Sequence, residues 1–146
     1  MPRGPNVRVV ADTNTVVSAF LWGGPPAEVL SAAREQRIQL FTSAALIAEL
    51  EEVLARERFA ARITRVGSSV ADLLAGYRAL THLVRAPAIT PVSRDPDDDH
   101  VLACAIAAQA PLIVTRDRDL LVLGAFRDIR IVPAAEALAL IPAKPA

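Results

Sequence analysis

The sequence predicts an α/β fold in which a parallel sheet is covered by helices on both faces. Short, β-branched apolar runs such as Val7–Ala11 alternate with longer segments whose apolar residues recur at helical spacing. This alternation is typical of parallel sheets, whose strands are buried on both sides. The 146 residues suit one compact domain. We therefore expect residues 1–146 to form a single domain with a core over about 7–140 and frayed termini.

Four segments have the composition of buried strands. Each is short, contains β-branched residues and is followed within a few residues by polar, glycine or proline positions. They are Val7–Ala11, 38–42, 112–115 and Ile129–Val132.

Helices are predicted in the segments between and around these strands. Pro26 suits the first turn of a helix over 27–35, and Ser43 suits the N-cap of a helix over 44–56. The acidic run 95–99 places negative charge at the start of a helix over 98–109, where the helix dipole favours it. The remaining predicted helices are 16–20, 59–66, 68–84, 119–123 (stopped by Gly124) and Ala134–Leu140.

The composition limits the class of protein. Hydrophobic residues make up 53% of the chain, yet no apolar run approaches the roughly 20 residues of a membrane helix. The first residues lack the apolar region of a secretory signal, and the single cysteine, Cys104, allows no intrachain disulfide. We expect a cytoplasmic protein. The net charge of zero predicts no general affinity for nucleic acid, but arginines cluster at Arg56, Arg58, Arg62 and Arg65.

Four carboxylates that are distant in sequence are predicted to meet at one edge of the sheet. Asp12 and Asp117 follow predicted strands, and ligands of parallel sheets bind beyond the carboxyl ends of the strands. Glu49 and Asp98 border the apolar stripes of their helices. A carboxylate in such a place needs a partner to stay ionised, and oxygen ligands suit hard cations such as Mg²⁺ or Mn²⁺. A cation there would connect the acids to a phosphate group.

Several neighbouring polar residues have two interpretations each. Asp99 and Asp119 are either helix caps or members of the site, and Asn14 and Thr115 either orient a ligand or form turns. Asp95 and Asp97 are interpreted as caps in a solvated acidic turn.

Trp22, beside Gly23 and Gly24, also has more than one interpretation. It either stacks on a base or covers the core or a dimer contact.

Four motifs, taken in order, resemble the PIN-domain family of metal-dependent ribonucleases, over residues 7 to 132. The first is Asp12-Thr13-Asn14, and the second runs from Ser43 to Glu49-Leu50. The third is Asp95-Pro96-Asp97-Asp98-Asp99, and the fourth is Thr115-Arg116-Asp117-Arg118-Asp119-Leu120-Leu121. The last two are most similar to those of the toxin subfamily of toxin–antitoxin systems.

The resemblance implies a three-layer αβα sandwich around a parallel sheet of four or five strands. It implies a Mg²⁺- or Mn²⁺-dependent endoribonuclease that hydrolyses RNA phosphodiester bonds, with Asp12, Glu49, Asp98 and Asp117 as catalytic metal ligands. The third acid is placed at Asp98 because the small Ala105 follows seven residues later, and Asp99 is the alternative register.

The resemblance further implies a homodimer and neutralisation by a small antitoxin protein. Arg116 stands where the subfamily often has glycine, and it either binds phosphate, as Arg118 can, or pairs with Asp117. A nuclease of RNA maturation that is not a toxin, and a catalytically weak PIN-fold binding module, are the alternatives.

Overall fold

The computed structural model describes residues 7–89, 91 and 96–143. Asp95, residues 1–6 and the last part, 144–146, of the tail predicted to fray from Pro142 lie outside the described residues. Within the described part of the chain, six strands form one sheet in the order β3-β2-β1-β4-β6-β5. Neighbouring strands are parallel from β3 through to β6, and β5 pairs antiparallel with β6. The strands are β1 (Val7–Ala11), β2 (Ile38–Ser43), β3 (His82–Val84), β4 (Leu112–Val114), β5 (Ala125–Phe126) and β6 (Ile129–Val132).

Eight helices connect or follow the strands in the described residues. Two helices begin where the sequence predicts a helix start. α2 has proline in its first turn, and the Ser43 hydroxyl accepts a hydrogen bond from the Leu46 amide at the start of α3. The helices are α1 (Thr13–Leu21), α2 (Pro25–Arg34), α3 (Ala44–Leu54), α4 (Glu57–Arg65), α5 (Val70–Leu80), α6 (Pro96–Ala108), α7 (Arg118–Leu123) and α8 (Ala134–Leu140).

Successive residues of the central strands face two separate apolar cores. Val9 and Ala11 of β1 belong to a core shared with α1, α2, α3 and α8, whereas Val10 between them belongs to a core with α6 and α7. Side chains alternate between the faces of a strand, so helices must cover both faces of this sheet. The structure therefore confirms the predicted α/β class with its helix–sheet–helix layering.

Five strands of the described sheet are parallel, in agreement with the four or five predicted, and the antiparallel β5 is a sixth. Two of the six, β3 and β5, were not expected from the sequence. The predicted helix over 68–84 was wrong at its end: α5 stops at Leu80, and β3 pairs in parallel with residues 41–43 of β2. The apolar Leu80 and Leu83 fit a helical spacing, but pairing with β2 decides the conformation of this segment. β5 has two residues, too few for an alternating pattern, and was not predicted.

The carboxyl ends of the central strands lie side by side. Ala11 is in register with Val114, and Val114 with Val132. Backbone hydrogen bonds continue past the strands, from the Asp12 amide to the Val114 carbonyl and from the Thr115 amide to the Val132 carbonyl, each 3.0 Å long. The residues that follow β1 and β4 are therefore held against each other at one sheet edge.

None of the helices in the described residues combines the length and the apolar character that crossing a bilayer requires.

Candidate metal centre

Asp12 is the most enclosed acid at this edge. It caps α1, where Oδ1 accepts a hydrogen bond from the Thr15 amide at 2.9 Å, and its Oδ2 accepts one from the Thr115 hydroxyl at 2.5 Å. Asp12 is 6% exposed, and this burial raises the pKa of its carboxyl, while the hydrogen bonds from Thr115 and Thr15 oppose the rise. Each oxygen of the Asp12 carboxylate is thus held by a hydrogen bond.

Thr115 joins the ends of β1 and β4. Its hydroxyl donates to Asp12 and accepts a hydrogen bond from the Asp117 amide at 2.9 Å. Asp117 in turn caps α7, because its Oδ1 accepts hydrogen bonds from the Asp119 and Leu120 amides at 2.8 and 3.3 Å. A chain of hydrogen bonds therefore sets the position of Asp117 relative to Asp12.

Three acids from two helix starts form a compact group, which we call the three-acid group: Asp98, Asp117 and Asp119. Each offers a carboxylate oxygen, and these three oxygens lie within 4.8 Å of one another. Asp98 in the first turn of α6 is buried, Asp117 is half-buried and Asp119 is exposed. Carboxylates this close repel each other unless a cation neutralises them. All the donors are oxygens, so this set fits a hard divalent cation such as Mg²⁺ or Mn²⁺.

Glu49 lies beside Asp12 and Asp97 rather than in the three-acid group. Its Oε1 accepts a hydrogen bond from the Thr13 hydroxyl. The pKa of Glu49 is raised to about 7. Burial is the largest cause, and a hydrogen bond with Asp97 and the charges of Asp97 and Asp12 add to the rise, while the Thr13 hydrogen bond opposes it. The site therefore has a second acidic part, Asp12, Glu49 and Asp97.

Asp97 is the acid that sequence reasoning placed elsewhere, as a cap or a solvated residue. The structure gives it a hydrogen bond to Glu49, although it is exposed in the first turn of α6. A helical count places Asp97 beside the buried face of α6, because it precedes the buried Val101 and Cys104 by four and seven residues, but the count does not identify Glu49 as its partner.

The other predicted residues fall in different places. Asp99 lines a separate groove with Ser43 and His100, whereas Asp98 is in the three-acid group. Asn14 and Arg116 line a groove next to the acids, and Arg118 is exposed at the start of α7.

Arg116 and Asp117, the pair that sequence reasoning considered, form no ion pair with each other in the described structure.

Residues 8–119 match the family model described as PIN domain. The chain belongs to the PIN domain family. PIN domains are generally metal-dependent nucleases, and the oxygen-only donor set at the sheet edge suits such an activity. A solved structure titled "Structure of T. brucei RRP44 PIN domain" is also similar, with 18% sequence identity and a TM-score of 0.42. That similarity covers 94% of this chain and 81% of the other. The comparison with curated proteins found no significant match.

Proposed function

We propose that this PIN domain is a Mg²⁺- or Mn²⁺-dependent endoribonuclease that hydrolyses RNA phosphodiester bonds. The observation that supports it most is the three-acid group, whose oxygens lie within 4.8 Å of one another beside the carboxyl ends of parallel strands. Sites in open parallel sheets lie at this edge. Asp98, Asp117 and Asp119 would hold the cation, with Asp12 and Glu49 as the adjacent predicted ligands.

Each residue has a separate task in this proposal. A bound divalent cation supplies charge neutralisation at the phosphate and a lowered pKa for the attacking water. Asp12 holds the Thr115 hydroxyl, which in turn holds the Asp117 amide. Glu49, on α3, forms hydrogen bonds with Thr13 and Asp97 and would be the ligand that α3 contributes.

The deciding experiment measures cleavage of single-stranded RNA with Mg²⁺, with Mn²⁺ and with chelator. We expect cleavage to require the cation and to fall about 100-fold in Asp98→Asn, because a ligand is lost. Asp72→Asn is the matched control, since Asp72 is also in the first turn of a helix but is exposed on α5. Equal cleavage by wild type and Asp98→Asn would contradict the proposal.

Calorimetry with Mg²⁺ and Mn²⁺ separates an enzyme from a binding module. We expect heat of binding in wild type that is reduced in Asp98→Asn and unchanged in Asp72→Asn. If no acid-dependent binding is found, the chain acts as a PIN-fold binding module.

We further propose that the protein is the toxin of a type II toxin–antitoxin system, a cytoplasmic homodimer neutralised by a small antitoxin. The support is the resemblance of the motifs around Asp97 and Asp117 to those of the toxin subfamily. Expression of wild type should arrest growth, and expression of Asp98→Asn should not. Cleavage of RNA in vitro without growth arrest would instead favour a nuclease of RNA maturation.

A further inference from the structure

A groove of about 660 Å³ lies beside the acidic site, between α1 and α4. Two of its lining residues adjoin the site in sequence: Asn14 follows Thr13, and Arg116 lies between Thr115 and Asp117. We call it the Trp22 groove, and it is lined by Asn14, Val17, Ser18, Trp22, Arg58, Phe59 and Arg116. An RNA strand bound at the acids can therefore extend into this groove.

Trp22 is held in place but remains open to a ligand. The indole contacts the Phe59 ring edge-on, with ring centres 6.0 Å apart, and the Arg62 guanidinium lies 5.4 Å from the indole centre. Arg62 is itself anchored, because its Nε donates to the Leu21 carbonyl at 2.6 Å. Trp22 is nevertheless 55% exposed. A tryptophan fixed in this way is a preformed stacking surface, as in proteins that bind single-stranded nucleic acid.

The groove is positively charged, in contrast to the acids next to it. Arg58 and Arg116 line it, and no acid does among the described residues that form its wall. Neither guanidinium forms an ion pair within the described part of the chain. Arg58 also lies 4.8 Å from the Phe59 ring centre, which fixes it beside the aromatic pair. Arginine beside an aromatic surface suits a phosphate and a base of one nucleotide.

We propose that the Trp22 groove binds an unpaired nucleotide of the RNA, with the base on Trp22 and the phosphate between Arg58 and Arg116. This inference rests on the proposed ribonuclease function, and it adds the residues that would hold one nucleotide beside the acidic site. A base in a duplex is stacked on its neighbours and cannot lie on the indole, so duplex RNA is excluded from the groove.

Trp22 is the only tryptophan of the chain, so its emission reports on the groove directly. The wild-type protein is titrated, in chelator to prevent cleavage, with a single-stranded RNA oligonucleotide and with the duplex of the same sequence. We expect the single strand to quench the emission and the duplex to leave it unchanged. The proposal would be overturned if the single strand did not quench the emission, or if the duplex quenched it equally. The groove would then be a candidate site for a protein partner.

Variants test the two halves of the groove by anisotropy of a labelled single-stranded oligonucleotide. Trp22→Ala should weaken binding about tenfold and Trp22→Phe much less, since an aromatic ring is kept. Leu83→Ala, which changes another exposed apolar residue, should bind as wild type does. Arg58→Ala should lower the slope of log affinity against log salt by about one, unlike Arg78→Ala on α5. Binding by Trp22→Ala equal to that of wild type would contradict the assignment.

The cleavage assay separates failure of this inference from failure of the ribonuclease proposal. Cleavage without quenching of Trp22 overturns the groove assignment and leaves the nuclease intact. Quenching without cleavage in Mg²⁺ or Mn²⁺ supports the groove and overturns the nuclease. Thermal melts show whether a variant that binds less RNA is still folded. If Trp22→Ala does not fold, the titration of the wild-type protein still tests whether RNA binds at Trp22.

Discussion

Asp12 and Asp117 occupy equivalent places in the chain but have different surroundings. Both follow a strand of the central sheet and cap the next helix. Asp12 is buried, and its two oxygens accept hydrogen bonds from separate groups, the Thr15 amide and the Thr115 hydroxyl. Asp117 is half-buried, uses Oδ1 for both cap bonds and also belongs to the three-acid group. Asp12 thus lies in a buried hydrogen-bonded link between two strand ends, whereas the Asp117 side chain is more open to solvent.

The largest expected effect comes from removing each carboxylate in turn. Asp12→Ala should lower the free energy of unfolding by about 2 kcal/mol, because it removes a cap and leaves the buried Thr115 hydroxyl without its acceptor. Asp117→Ala should cost about 1 kcal/mol, since the only loss is a partly exposed cap. Urea denaturation in chelator measures both values.

Added Mg²⁺ should increase the loss of stability that Asp117→Ala shows relative to wild type. A cation that binds the folded state raises its stability, so Mg²⁺ should stabilise wild type and fail to stabilise Asp117→Ala. Asp72→Asn serves as the control and should respond to Mg²⁺ as wild type does. Equal losses of stability in Asp12→Ala and Asp117→Ala, without Mg²⁺, would break the comparison.

Thr115→Val tests the connection between the two acids with little change of shape. The hydroxyl that donates to Asp12 and accepts from the Asp117 amide is lost, so we expect a loss of about 1.5 kcal/mol. Cleavage should also fall, because Asp117 loses its support. Thr64→Val on α4 is the control: its hydroxyl bonds to the Ala60 carbonyl of its own helix and is exposed. Unchanged stability and cleavage in Thr115→Val would show that Thr115 does not link the acids.

The sequence predicted those parts of the fold that have local signals. Ser43 and Gly124 mark a helix start and a helix stop, and the structure has a cap bond at the first and a positive φ of 67° at the second. Residues 82–84 and 125–126 carry no such signal, because their strand conformation comes from pairing with β2 and β6.

In the candidate site, too, local sequence signals predicted some residue positions, whereas contacts between distant helices could not be predicted. Strand ends and helix faces placed Asp12 and Asp117 at one edge, and their roles as ligands stay predictions. The hydrogen bond between Asp97 and Glu49 depends on how α6 is rotated against α3, and the sequence does not state that rotation. The Trp22 groove likewise requires the position of α4 beside α1.

The smallest expected effect concerns Glu49 and the pH. Its pKa is about 7 in the folded state, above the ordinary value of 4.5, so the folded protein binds this proton more tightly than the unfolded chain does. Glu49 therefore contributes stability that is fully present below pH 4.5 and is lost as the pH rises through about 7. The pKa of Asp12 is raised too and adds to this loss.

Glu49→Gln should make the metal-free protein less sensitive to pH over this window. We expect its free energy of unfolding to decline by about 1 kcal/mol less than that of wild type, a value reduced for solvent screening of a half-buried group. Urea midpoints between pH 4.5 and 8 in chelator measure the decline. Glu51→Gln, at an exposed position of the same helix, should keep the wild-type slope. Parallel curves for wild type and Glu49→Gln would mean that burial and the neighbouring Asp97 and Asp12 do not raise the pKa of Glu49.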